Sequence, residues 1–575
     1  MAVINTGQLP NRRHLAALVP LLLLAAAAYL RLWRLPSQVV GGDEYHGILA
    51  AFEPLRTILT RFQWADNCIP LTAFYRILIK TVGLSDPGLR ALPLLAGLLA
   101  VVLCALFLRR MAGAKASAIG MFLAATSPLL VYYSRFARPY IIVVFLSFIA
   151  IRALYAWLEE GKRSAVWPYV LAAVLAAYFS LPALPGIVAP ILWLLGLRLA
   201  GFLRPGLARD PRLPRFLTLV AVGLAVLLGI ALWFLPAAST RSFLTSKAGL
   251  GQISLSSLPV ALNLFAGTGN DLVSFILLAV CVYGLVRTAR SRPHFSSCLG
   301  AMVAVQGLSL AVVRPHAVQV AIVLARYMIV LWPVWVIGIS VGLADLHDRL
   351  VERLGRRIGV IRWAGAGLLP VLMVVLFFLG PLPWLYRYPN DFTNHDNFQA
   401  TFDRATLDRV ESRTDLFPDF YRRLSMDTQA KAIIEYPFVT AWPGNPYHIY
   451  QRTHGRRVLV GRDERTFVVQ QIPIMHPDLH LANSVDLTSR EAIRRSGASY
   501  VLVHKDLLAE LLRLWQDVPE RRISLENEAR DPEHLSQRWY YQPARESAAR
   551  ILPVLVRLYG PPVHEDRWIA AFRVR

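Results

Sequence analysis

Eleven apolar runs, most of them near 20 residues long, constrain this chain more than any other feature of it. The first, LAALVPLLLLAAAAYLRLW, follows a polar, basic start, MAVINTGQLPNRRH. The others fall at 87–109, 116–134, 138–157, 165–181, 184–203, 216–236, 272–289, 297–313, 327–345 and 363–385. About 20 apolar residues are what an α-helix needs to cross a bilayer, where every backbone polar group must be satisfied within the segment. No small-residue cleavage site follows the first run, so it reads as a retained helix rather than a signal peptide. Pro182, Pro185 and Pro190 interrupt the fifth and sixth runs. Charged residues make up 17% of the 575-residue chain, against about 25% in soluble domains.

The net charge of +24 is unevenly spread. From Arg387 onward there are 27 Lys+Arg against 25 Asp+Glu, which leaves 34 against 12 for residues 1–386. A basic protein can signal nucleic acid. Here the excess sits in short segments between apolar runs, which argues against a nucleic-acid partner. With the N-terminus in the cytoplasm, the inside segments are NRRH, RRMAGAK, EEGKR, FLRPGLARDPRLPR, RTARSRPH and HDRLVERLGRRIGVIR. Nearly all are rich in Lys or Arg, as the positive-inside rule demands. Eleven crossings put a long first loop, 34–86, and everything after 386 on the outer face. The four cysteines, Cys68, Cys104, Cys281 and Cys298, all precede residue 386 and show no metal-ligand spacing.

In HGILAAFEPLRTILTRF, within the first loop, the spacing of Ile48, Phe52, Leu55, Ile58, Leu59 and Phe62 predicts an amphipathic helix, kinked or restarted at Pro54. CIPLTAFYRILIKTVGL carries Arg76 and Lys80 and is too short to span. The GTGN at 267–270 is a turn signal without the strand a nucleotide loop would need. After residue 386, KAIIEYPFV, RRVLVG and ASYVLVHKD read as strands among helical stretches such as SREAIRRSG and DLLAELLRLWQDV. That pattern predicts a small soluble α/β domain over 387–575, following a membrane domain over 1–386.

Five of the 12 carboxylates of residues 1–386 lie in the first loop: Asp43, Glu44, Glu53, Asp66 and Asp86. Solvated loop charge is the plain reading, but ionisable groups at a membrane boundary are functional candidates by default. VYYSRFARPYIIVVF places Arg135 and Arg138 on the outer side, where positive charge is disfavoured, and RPHAVQVAIVLARYMIVLWP adds Arg314, His316 and Arg326. A carboxylate can act as general base on a hydroxyl. A guanidinium fork suits a phosphate and stabilises charge developing on it. Carboxylates and arginines on one outer face therefore fit chemistry on a lipid-linked phosphate.

In these residues the sequence resembles the GT-C class of polyprenyl-phosphate-sugar-dependent glycosyltransferases, the protein O-mannosyltransferase and aminoarabinose-transferase-like family. GGDEYHG resembles the Asp-Glu motif after the first helix, and SDPGLRALPLLAGLLAVVLCALFLRRMAG the second helix with its basic end. YSRFARPY is similar to the YS-x-E-ARPY motif, and ARYMIVLWP to a late Arg-Tyr helix start. The resemblance covers residues 14 to about 345. It implies a bundle of about a dozen helices with juxtamembrane helices and an appended soluble domain. By position it makes Asp43 the catalytic acid, Glu44 its supporting neighbour, and Arg138, Arg326 and Tyr327 donor-phosphate residues. Where the family often has Lys or His before Pro-Pro-Leu, this chain reads Cys68-Ile69-Pro70-Leu71, so Arg76 or Lys80 would substitute. Phe136 stands where the ARPY motif usually has Glu.

The expectation is thus an α-helical polytopic membrane protein of about 11 transmembrane helices, in the bacterial inner membrane, with its C-terminal domain periplasmic. It would be an inverting glycosyltransferase, passing a sugar from undecaprenyl phosphate or a related carrier to a hydroxyl of a lipid, glycan or protein. No cofactor is expected: Asp43 and Glu44 could coordinate a divalent metal, but the resemblance points to metal-independent transfer. The alternatives are an O-antigen ligase or polymerase, which would need a long late outer loop, and a transporter, which would place charges at the midplane in repeated, broken helices.

Overall fold

The computed structural model describes residues 12–41, 43–60, 68–203, 213–234, 248–249, 251–252, 254–315, 317–355, 361–386, 398–399, 401–402, 412–437, 447–464, 467–468, 472–473, 476–516 and 542–574. Contacts divide the chain into two units. One contains Met1–Trp33, Leu92–Arg135 and Pro139–Leu382. The other contains Arg34–Ala91, Phe136–Arg138 and Pro383–Arg575. The first loop, expected to belong with the membrane helices, thus packs with the C-terminal residues.

The first unit is built of the apolar runs. Helices cover Arg12–Leu32, Asp86–Thr126, Pro128–Ser134, Tyr140–Leu158, Val166–Phe179, Leu184–Leu203, Phe216–Phe234, Asp271–Ser291, Pro293–Val313, Ala321–Met328, Trp332–Gly355 and Ile361–Leu379. Among the described residues, seven helical segments are long and apolar enough to cross a membrane by length and composition. The longest, Asp86–Thr126, is broken at Gly113, whose φ of 90° and ψ of −179° are open to glycine alone. That break divides the runs expected at 87–109 and 116–134. The next restart is at Ser127, whose hydroxyl accepts from Leu130 N with Pro128 in the first helical turn.

Small residues let two of these helices approach closely. A Cβ added at Gly284, on Asp271–Ser291, would stand 1.9 Å from the Gly338 carbonyl oxygen of Trp332–Gly355. One added at Gly342 would stand 2.4 Å from Val280 O. Gly338 and Gly342 form a GxxxG face, which membrane helices use where dispersion between backbones replaces hydrophobic driving force. The protein is a polytopic α-helical membrane protein with a C-terminal α/β portion.

In the second unit, ten strands are described: β1 Leu84–Ser85, β2 Ala432–Tyr436, β3 Arg457–Arg462, β4 Phe467–Val468, β5 Ile472–Pro473, β6 Leu479–His480, β7 Ser484–Asp486, β8 Tyr500–His504, β9 His564–Glu565 and β10 Ile569–Arg573. Six of them form one sheet in the order β7-β3-β2-β8-β10-β9. Its first four strands are parallel, and β10 and β9 are antiparallel. The three strands expected from sequence are β2, β3 and β8. Their side chains alternate between two cores: Ile433 and Leu502 face one, Ile434, Val501 and Val503 the other. Both faces are covered, which explains why these strands read as nearly unbroken apolar runs.

Inside the first core lies a buried charged cluster. His504 Nε2 is 2.9 Å from Glu435 Oε2, and Nδ1 is 2.8 Å from Glu510 Oε2. Tyr421 donates to Glu435 at 2.9 Å, and Tyr450 to Glu510 at 2.6 Å. Burial opposes a charge on His504, but Glu510 and Glu435 outweigh it and push its pKa from 6.5 to about 10. The stability it contributes is complete below pH 6.5 and is lost as pH rises through 10. Thermal unfolding of the detergent-solubilised full chain should show a C-terminal transition that falls by about 5–10 °C between pH 6.5 and 10. His504→Gln should flatten that slope, and an unchanged slope would remove His504 as its source.

Candidate functional site

The acid motif opens the helix Glu44–Ala51. Asp43 is the N-cap of Glu44–Ala51, but its side chain makes no capping hydrogen bond. The carboxylate is about a third exposed, and its Oδ1 lies 4.0 Å from His46 Nε2. Glu44, the next residue, is wholly buried. Arg90 Nε donates to its Oε1 at 3.0 Å, and Arg90 Nη2 to its Oε2 at 2.8 Å. The backbone N–H groups of Ala137 and Gly41 donate to it at 2.8 and 3.3 Å. Four donors on one carboxylate, two from a bidentate guanidinium, are what a charge needs to survive burial. The two acids therefore differ in kind. Glu44 is built into the framework, while Asp43 keeps open carboxylate surface.

Arg90 also ties down the approach to the motif, donating through Nη1 to Gln38 O at 3.1 Å and through Nη2 to Val39 O at 3.2 Å. Arg90 falls inside the second apolar run. The signal that could have found it was an arginine inside LRALPLLAGLL, where an unpaired charge is expensive. Asp86, counted only as one of the loop acids, is 2% exposed, and its Oδ2 accepts from Ala482 N at 2.9 Å.

The acid motif and the ARPY motif come together at Ala137. Its N–H donates to Glu44, and its carbonyl accepts from the Tyr75 hydroxyl at 3.3 Å. Tyr75 donates to Leu89 O as well, at 2.8 Å. The peptide before Arg138 is thus clamped from both sides, and Arg138 is 7% exposed. Phe136, in place of the usual Glu, is buried.

The helix Ile69–Thr81 begins after buried Cys68. Arg76, half-buried on it, donates to Phe52 O at 3.2 Å, at the end of the helix Asp43 begins. Lys80 is exposed one turn later. Phe52 in turn meets His476 edge to face, with ring centroids 4.6 Å apart. The amphipathic stretch is two helices, Glu44–Ala51 and Leu55–Thr60, divided at Pro54 as its sequence predicts.

In the first unit, Arg326 lies on the helix Ala321–Met328, with its guanidinium over the rings of Tyr140 at 5.7 Å and Tyr327 at 5.4 Å. Tyr140 is the tyrosine of ARPY, and both contacts are within cation–π range. Buried Gln306 donates to the Tyr327 carbonyl at 2.8 Å. Arg135, grouped by sequence with the outer-face arginines, has a structural part: its Nη1 donates to the Trp33 carbonyl at 2.7 Å, past the end of the first helix. Arg31 answers on another helix end, donating to Ala124 O at 3.0 Å and Ala125 O at 3.1 Å. Guanidinium groups there satisfy terminal carbonyls and oppose the negative end of the dipole. Asp66 and His316 lie outside the described residues.

No family model and no curated protein matches the sequence. Among solved structures, the chain is similar to ArnT from Cupriavidus metallidurans bound to undecaprenyl phosphate, at 16% identity and a TM-score of 0.42, over 87% of this chain and 94% of that one. It is also similar to the Archaeoglobus fulgidus oligosaccharyltransferase in the apo form, at 13% identity and a TM-score of 0.42, over 88% of this chain and 71% of that one. At these values the function is read from this chain's own residues.

Proposed function

We propose that this protein is an inverting glycosyltransferase of the bacterial inner membrane, using a polyprenyl-phosphate sugar as donor and a hydroxyl as acceptor on the periplasmic face. The observation that carries the reading is the inequality of the two acids. Glu44 is buried under four hydrogen bonds, while the side chain of adjacent Asp43 is about a third exposed. The resemblance of GGDEYHG, YSRFARPY and ARYMIVLWP to one family supports it, as does the joining of the first two motifs through Ala137.

In the proposed step, Asp43 accepts the acceptor's proton while the hydroxyl oxygen attacks the anomeric carbon on the face opposite the phosphate. The C–O bond to the phosphate breaks, and the electron pair leaves on the polyprenyl phosphate. The resemblance assigns the charge developing on that leaving group to Arg138 and to Arg326, with Arg76 or Lys80 assisting. A phosphate leaves well without protonation, so no general acid is required. The Tyr327 ring lies 5.4 Å from the Arg326 guanidinium.

The testing experiment gives purified full-length protein a labelled polyprenyl-phosphate sugar and a membrane extract containing acceptors. Label should move from carrier to extract above the protein-free background. Failure with pentosyl, hexosyl and aminosugar donors alike would remove the reading.

A further inference from the structure

A short C-terminal segment, residues 478–483, reaches the chain around the acid motif. β1, directly before the Asp86 helix, pairs in parallel with β6, with Leu84 opposite Leu479 and Ser85 opposite His480. Leu84 N donates to Asp478 O at 2.8 Å. Just beyond β6, Ala482 N donates to Asp86 Oδ2, one turn before Arg90 on the same helix. Asn483 then donates through Nδ2 to Pro36 O at 2.8 Å and to Gln38 O at 3.3 Å. Two consecutive residues thus grip both strands of chain that meet at the Glu44–Arg90 pair.

Asn483 is 2% exposed, and its other side-chain group is also bonded: Oδ1 accepts from Arg457 Nη2 at 2.7 Å. Arg457 starts β3, and Val460 on the same strand donates to the Asn483 carbonyl at 2.8 Å. The Gln38 carbonyl accepts from Asn483 on one side and from Arg90 on the other. A continuous chain of hydrogen bonds therefore runs from the sheet through Asn483, Gln38 and Arg90 to Glu44, the residue bonded to Asp43. Only an amide serves at 483, because the site asks for an acceptor toward Arg457 and donors toward two carbonyls.

We propose that Asn483 is a positioning residue, through which the C-terminal α/β portion fixes the Gln38–Glu44 segment and so the placement of Asp43. This rests on the glycosyl-transfer reading above. It gives the appended portion a part in the reaction without contact with either substrate.

The test is Asn483→Asp in the full-length protein, a near-isosteric change that keeps the Arg457 partner and removes both donors. Hydrogen exchange of the amides between residues 39 and 45 should speed up by at least about tenfold, because their local opening no longer works against the clamp. The kcat for transfer should fall by about 10- to 100-fold, since a base misplaced by about 1 Å loses that much, with the donor KM within about twofold. If Asn483→Asp fails to fold, Asn483→Ser removes the same donor reach with no buried charge, and the same outcomes decide. Wild-type exchange in a variant of an active enzyme overturns the positioning part and leaves the transfer reading standing. A higher donor KM at unchanged kcat overturns it too, in favour of a donor-binding effect. A wild type inactive with every donor removes the transfer reading, and the positioning part falls with it.

Discussion

Asp43→Asn is expected to lower kcat for transfer by about 100- to 10,000-fold, the usual worth of a positioned general base. The donor KM should change by no more than about threefold, because the amide keeps the size and polarity of the carboxylate and removes only its basicity. The fold should be indifferent. The amide is near-isosteric and the side chain is about a third exposed, so the melting transition should stay within about 2 °C. Asp43→Glu should recover part of the rate, since a carboxylate returns one methylene out of place. The contrast with Glu44→Gln makes the result interpretable. That change leaves Arg90 without its anionic partner and should act on stability first. Transfer by Asp43→Asn at the wild-type rate would take the base away from Asp43.

Much of this arrangement was legible in the chain, and the reason lies in periodicity. The apolar runs, the break at Pro54 and strands β2, β3 and β8 follow from local patterns that tertiary contacts did not override. Asp43 and Arg138 stood out because charge at a membrane boundary is rare. What the sequence could not show was pairing at a distance. Glu44 and Arg90 are 46 residues apart, Glu44 and Ala137 93 apart, and Ala482 and Asp86 396 apart. No spacing rule connects them. Arg135 shows the converse: its type and side of the membrane suggested a phosphate site, whereas a helix end needed the cation. Glu435, inside β2, was similarly unremarkable until folding set it against His504.

Arg90→Ala should be the most damaging single change around the acid motif, costing about 3–5 kcal/mol, the range for removing one partner of a buried ion pair. The side chains of Arg90 and Glu44 are 1% and 0% exposed, so water cannot take over for the lost guanidinium. Three acceptors lose donors at once: the Glu44 carboxylate and the carbonyls of Gln38 and Val39. The Ala137 and Gly41 N–H groups stay, but two neutral donors do not offset a buried negative charge. Limited proteolysis of detergent-solubilised protein should then cut between residues 34 and 60 faster than in the wild type, and transfer should be lost with it. The double variant Arg90→Leu with Glu44→Leu separates charge from packing. If the damage comes from an uncompensated carboxylate, removing that carboxylate as well should restore part of the stability, as matched apolar replacements of buried pairs do. A double variant less stable than Arg90→Ala alone would instead mean that Glu44 holds Ala137 and Gly41 in place without help from Arg90, and that the ARPY segment depends on the acid alone.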